Sequence, residues 1–136
     1  MTTTADHDTI KNLAAEITWD PSSRVAFVRY ALDARLKAID GPFLVDALTG
    51  WIGTSAAPFA VLADAKGLRG TDGAYRAHAS KFFRQHRHTA FIAIINVGPV
   101  IHIVVEMFRI GTGIQLKTFA SEPAARSWLR TKGIAA

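Results

Sequence analysis

Cysteine is absent from the 136 residues, which removes disulfides, thiol nucleophiles and cysteine-built zinc sites together. That fits a cytoplasmic protein. The chain also lacks the G-x-S-x-G elbow, the P-loop and the dinucleotide fingerprint. No second carboxylate stands at a spacing that would pair with Asp64 for acid/base work, and no third ligand accompanies His86 and His88. The first ten residues are polar and include Asp6 and Asp8, so no secretory signal is expected. The one long apolar stretch, from Ala90 to Phe108, is broken by Asn96, Gly98, Pro99, His102 and Glu106, so no membrane span is expected either. These absences lead to the expectation of a protein without enzymatic activity, cofactor or metal, the alternative being a hydrolytic activity led by Asp64 and one histidine.

What is present is an ordinary globular composition, 49% hydrophobic and 20% charged, in a chain long enough for one domain with a sizeable core. Residues 1–15 are expected to be loosely ordered and residues 16–136 to form the domain. The net charge of +5 favours phosphates or acidic surfaces. Its one local cluster, Arg76, Lys81, Arg84 and Arg87, is far smaller than a nucleic-acid footprint. Phe82 and Phe83 suit the core better than a base-stacking platform, so no nucleic acid is expected.

Glu16–Asp20 and Arg24–Tyr30 read as strands of an antiparallel hairpin turned by Pro21, Ser22 and Ser23. Asp40 is placed to cap a helix opened by Gly41 and Pro42 and carrying Phe43, Leu44, Ala47, Leu48 and Trp51 on one face. Phe59–Ala65 is nearly all apolar, as in a strand covered on both faces. A helix follows from about Asp72 to His86, with Tyr75, Ala79, Phe82 and Phe83 inward and Arg76, Ser80, Arg84 and Arg87 on another side. Thr89–Val97 is a second apolar strand. The spacing of His102, Glu106 and Arg109 makes Val100–Arg109 a helix despite its β-branched residues, with His102 partly buried. Ile114–Ala120 is a last strand. Ser121 and Pro123 open a helix with Ala125, Trp128 and Leu129 inward, ended by Gly133. The order predicts a single α/β domain with a mixed, mostly parallel sheet of about five strands and about four helices.

The stretch from Phe59 to Phe83 carries most of the chemistry. A strand ending in Asp64, a loop punctuated by Gly67, Gly70 and Gly73, and a helix beginning at Thr71 and Asp72 place a hydroxyl, a carboxylate and helix-start amides at the end of a sheet. One reading makes Thr71 or Asp72 a helix cap and Asp64 an anchor for loop amides. The other makes Thr71 a phosphoacceptor, where phosphorylation would add roughly −1.5 to −2 charges at the start of a basic helix.

From Glu16 to Gly133 the chain resembles the SpoIIAA-like branch of the STAS superfamily, small bacterial domains also grouped with the lipid-binding CRAL-TRIO fold. The resemblance is carried by FAVLADAKGL at Phe59–Leu68, TDGAYRAHASKFFRQH at Thr71–His86, TAFIAIINV at Thr89–Val97 and KTFASEPAARSWLRTKG at Lys117–Gly133. It implies a regulatory, non-enzymatic module with a protein partner. In STAS anti-sigma-factor antagonists a serine or threonine at this helix start is phosphorylated, and Thr71 matches that position most nearly. Those proteins have an Asp, two hydroxyl residues and then Gly, where this chain has Gly70, Thr71, Asp72 and Gly73. The implied partner surface is the 66–87 loop and helix, with Thr71, Asp72, Arg76, Lys81, Arg84 and Arg87. The CRAL-TRIO kinship implies instead a small apolar or lipid-like ligand held between sheet and helices, lined by Tyr30, Trp51, Phe83, Phe108 and Trp128. A homodimer is compatible with either.

Overall fold

The computed structural model describes residues 8–136. Its centre is a six-stranded sheet in the order β1-β2-β3-β5-β7-β8. β1 (Asp8–Lys11), β2 (Ala15–Asp20) and β3 (Val25–Tyr30) form an antiparallel meander, in which Ala15 faces Tyr30 and Asp20 faces Val25. β3, β5 (Phe59–Asp64), β7 (Ala90–Ile95) and β8 (Gln115–Phe119) run parallel. A second, two-stranded sheet pairs β4 (Ala34–Leu36) with β6 (Leu68–Thr71) beside the ends of the main strands.

Alternation along the two central strands divides the core. Phe59, Val61 and Ala63 of β5 and Ala90 and Ile92 of β7 face α1 (Asp40–Ile52), α2 (Gly73–Gln85) and α3 (Pro99–Thr112). Ala60 and Leu62, with Phe91, Ala93 and Ile95, face α4 (Glu122–Thr131) through Ala125 and Leu129. Strands apolar at every position are needed because both faces are covered. Three helices therefore lie on one side of the sheet and one on the other. Among the described residues no helix is long and apolar enough to cross a membrane.

Several expectations are corrected. The loose segment expected over 1–15 is instead ordered from Asp8, because Asp8–Lys11 pairs with Glu16–Trp19; residues 1–7 lie outside the described residues. The mixed, mostly parallel sheet is the expected one, with six strands where about five were expected, and β4 and β6 add a second sheet. Asp40 does not cap α1. Its carboxylate turns back to accept the Lys37 amide at 2.8 Å and the Asn12 side-chain amide at 2.9 Å, tying the loop before α1 to the β1–β2 turn. His102 is exposed rather than partly buried. On α3 the outward side carries Val100, Ile103, Met107 and Ile110, all exposed, while Ile101 and Val105 take the inward face. Gly133 does end α4, at φ 84°, a conformation open to glycine.

Candidate functional site

β5, β6 and α2 build the site in sequence. β5 delivers Asp64 to the sheet's C-terminal edge. There its Oδ1 accepts the Lys66 amide at 3.0 Å and the Asn96 side-chain amide at 2.9 Å. Asn96 follows β7 in the left-handed region at φ 59°, which asparagine tolerates. Asp64 is thus occupied in joining two strand ends. Gly67 then passes so close to the β3–β4 corner that a Cβ there would lie 2.5 Å from the Ala31 carbonyl oxygen. Gly70 and Gly73 face no such crowding, the nearest atoms being arginine side-chain nitrogens at 3.5 and 3.9 Å.

Asp72 is the N-cap of α2, its carboxylate accepting the Tyr75 amide at 2.8 Å. Thr71 is held differently. Arg76 reaches back and Nη1 donates to the Thr71 carbonyl oxygen and, at 2.9 Å, to Thr71 Oγ1. Arg76 was expected on the outer stripe of α2, but the guanidinium folds toward the sheet edge and is half-buried. Lys81, Arg84 and Arg87 are exposed, and Arg87 donates to the Arg84 carbonyl at 3.1 Å. None of Arg76, Lys81, Arg84 and Arg87 forms an ion pair among the described residues.

Beneath this helix start lies a cavity of about 100 Å³. Its floor is the helical face of the sheet, including Val28, Val61 and Ile92, and its walls are α2 through Ala79 and Phe83 and α3 through Ile101, Val105 and Phe108. Leu36 and Leu68 close it from the small sheet, and Thr71 and Arg76 form its one strongly polar corner. Three aromatic residues expected around a ligand, Tyr30, Phe83 and Phe108, line this cavity. Trp51 and Trp128 do not. Trp51 sits beyond it and stacks on Trp19 at 5.7 Å. Trp128 lies on the α4 side of the sheet, against Phe91 and Phe119. Sequence reading missed Leu36, Leu68 and Tyr75 as wall residues. The first two sit on strands too short to announce themselves, and Tyr75 read as ordinary core.

Tyr30 and Tyr75 are the chain's only tyrosines, and both line the cavity. Burial pushes the Tyr30 phenol up to about 12. Burial, reinforced by the negative charge of Tyr30 as it ionises and by Asp40, raises Tyr75 well above the ordinary phenol value. Both pKa values are raised in the folded state, so this contribution to stability is complete below about pH 10 and is lost as pH rises toward and beyond 12. The expected result is alkaline destabilisation from about pH 10 upward, accompanied by late tyrosinate absorbance. A spectrophotometric titration with its midpoint near 10 in the folded protein would contradict the buried placement.

No family model matches this chain, and no curated protein matches it in sequence. Solved structures do match in fold. An uncharacterized DUF3478-family protein with a SpoIIAA-like fold from Shewanella loihica PV-4 superposes with a TM-score of 0.63 at 18% identity, covering 95% of this chain and 98% of that one. The anti-sigma factor antagonist SpoIIAA in its unphosphorylated form gives 0.57 at 13% identity over 91% and 97% of the two chains. The murine Slc26a9 anion transporter gives 0.57 at 13% identity, with 93% of this chain matched to 22% of the transporter. The chain has a SpoIIAA-like fold, with four helices and a mixed, mostly parallel six-stranded sheet in one α/β domain among the described residues.

Proposed function

We propose that this protein is a regulatory module without catalytic activity, whose partner surface is the 66–87 loop and helix and whose state follows the occupancy of the apolar cavity beneath. One observation carries the reading: Thr71 and Arg76, at the start of the partner surface, are also walls of the cavity that Tyr30, Phe83 and Phe108 line. A molecule in the cavity would press on the residues that hold the beginning of α2. The exposed cations Lys81, Arg84 and Arg87 suit an acidic partner surface, where charge sets specificity and the rate of encounter. The regulatory role of SpoIIAA reaches this chain only as an analogy of fold. Docking, rather than phosphorylation, is the role proposed for Thr71, since its hydroxyl is engaged by Arg76 inside the wall.

The test is a titration with 1-hexanol followed by methyl and amide NMR. Shifts are expected at Val61, Ile92 and Val105 in the cavity and at the amides of Arg84 on α2 and Arg87 just beyond its end. Cavity shifts without any response of α2 would reduce the protein to a carrier. No shifts at either place would remove the cavity from its function.

A further inference from the structure

We propose that the cavity takes a small apolar molecule with a carboxylate head, its body among Val61, Phe83 and Val105 and its carboxylate on Arg76 and Thr71. The inference rests on the cavity reading above and adds the chemistry of the ligand's polar end. Arg76 is half-buried, lines the cavity and has no carboxylate partner among the described residues. Its two hydrogen bonds both leave from Nη1, to the carbonyl oxygen and to Oγ1 of Thr71. Nη1 carries two hydrogens, so these contacts occupy it fully and fix the rotation of the guanidinium plane.

Of the three donors left over, Nε–H and the Nη2–H beside it lie parallel along one edge of the plane. That pair matches the two oxygens of a carboxylate, whereas an ammonium in its place would offer only a point charge. Thr71 Oγ1 accepts from Arg76 and keeps its own hydrogen to donate. Asp72 does not compete as a salt-bridge partner: it is exposed, and its carboxylate accepts the Tyr75 amide. Arg76 also sits in the first turn of α2, where the helix dipole favours an anion.

Size sets the body of the ligand. An apolar cavity of about 150 Å³ accommodates the six carbons of benzene, so about 100 Å³ seats about four carbons, the end of a short alkyl chain whose carboxylate and neighbouring carbon stand at the Thr71 and Arg76 corner. Tyr30 and Tyr75 add phenol groups to an otherwise aliphatic and phenylalanine wall, which bounds the body without supplying a second charge.

The experiment compares hexanoate with 1-hexanol on the full chain at neutral pH by calorimetry. Hexanoate is expected to bind about tenfold more tightly, the gain of charge-assisted hydrogen bonds. In Arg76→Met the preference for hexanoate over hexanol should be lost, and measurable hexanol binding by the same variant shows that it is folded and keeps its cavity. Arg76→Gln serves the same purpose should the methionine variant fail to fold. Equal affinities in the unaltered protein, or a preference for hexanoate that survives in the Arg76 variants, overturn the proposal. Hexanol bound without a carboxylate preference leaves the cavity reading standing alone; neither compound bound removes both.

Discussion

Replacing Leu62 by alanine is expected to lower the unfolding free energy by about 3–5 kcal/mol. Leu62 is 0% exposed in the middle of β5, with β3 on one side and β7 on the other. Its side chain packs into the layer under α4, together with Ala60, Ala93 and the fully buried Leu129. Both flanking strands and α4 are anchored by other contacts, so the space left by the lost methyl groups cannot collapse, and the cavity adds to the lost transfer energy. Urea unfolding should show a lower midpoint with an unchanged slope. Because Leu62 faces away from the ligand cavity, the folded variant should still take up hexanol. A loss below about 1 kcal/mol would mean that the α4 layer is not packed as described.

Gly67→Ala is expected to cost about 1–3 kcal/mol, toward the upper end of what overpacking does. The added Cβ would meet the Ala31 carbonyl oxygen at 2.5 Å and the Tyr30 carbonyl oxygen at 2.8 Å. Both are backbone atoms, and neither can swing aside as a side chain would. The segment carrying β6 must retreat, and β6 ends in Thr71, which holds Arg76. Stability and hexanoate affinity should therefore fall together. Gly73→Ala is the control: the nearest atom to its Cβ is Arg76 Nη2 at 3.9 Å, an ordinary contact, and stability should change little. Equal effects at the two glycines would refute the close approach.

The sequence showed the parts that depend on periodicity. The apolar runs of β5 and β7, the hairpin of β2 and β3 and all four helices could be read because burial on one or two faces leaves a pattern over many residues. β4 and β6 could not. Ala34–Leu36 and Leu68–Thr71 are three and four residues long, and their pairing is fixed by where β3 and β5 end, not by their own composition. β1 is mostly polar because it closes an edge. At the site, the cap made by Asp72 followed from local chemistry. The turn of Arg76 onto Thr71 did not, because helical spacing assigns it to the same stripe as Arg84 and says nothing about a long side chain reaching back five residues. Trp51 and Trp128 were misplaced for a different reason. Helical inwardness does not say which side of the sheet, or which end of the core, a helix covers.

The edges of the sheet decide how copies of this protein can meet in concentrated solution. Asp8 and Lys11 stand exposed on β1, and Lys117 stands exposed on β8. Charges on outer strands discourage the strand-to-strand pairing that leads to fibrillar aggregates. The exposed apolar side chains are elsewhere, in the row of Val100, Ile103, Met107 and Ile110 along α3 and in Leu13, Leu32 and Ile39 on the loops. Contacts between copies are therefore expected at apolar groups off the sheet edges, and a variant made for high concentration should begin with polar replacements at Ile103 and Met107, which leave both core layers untouched.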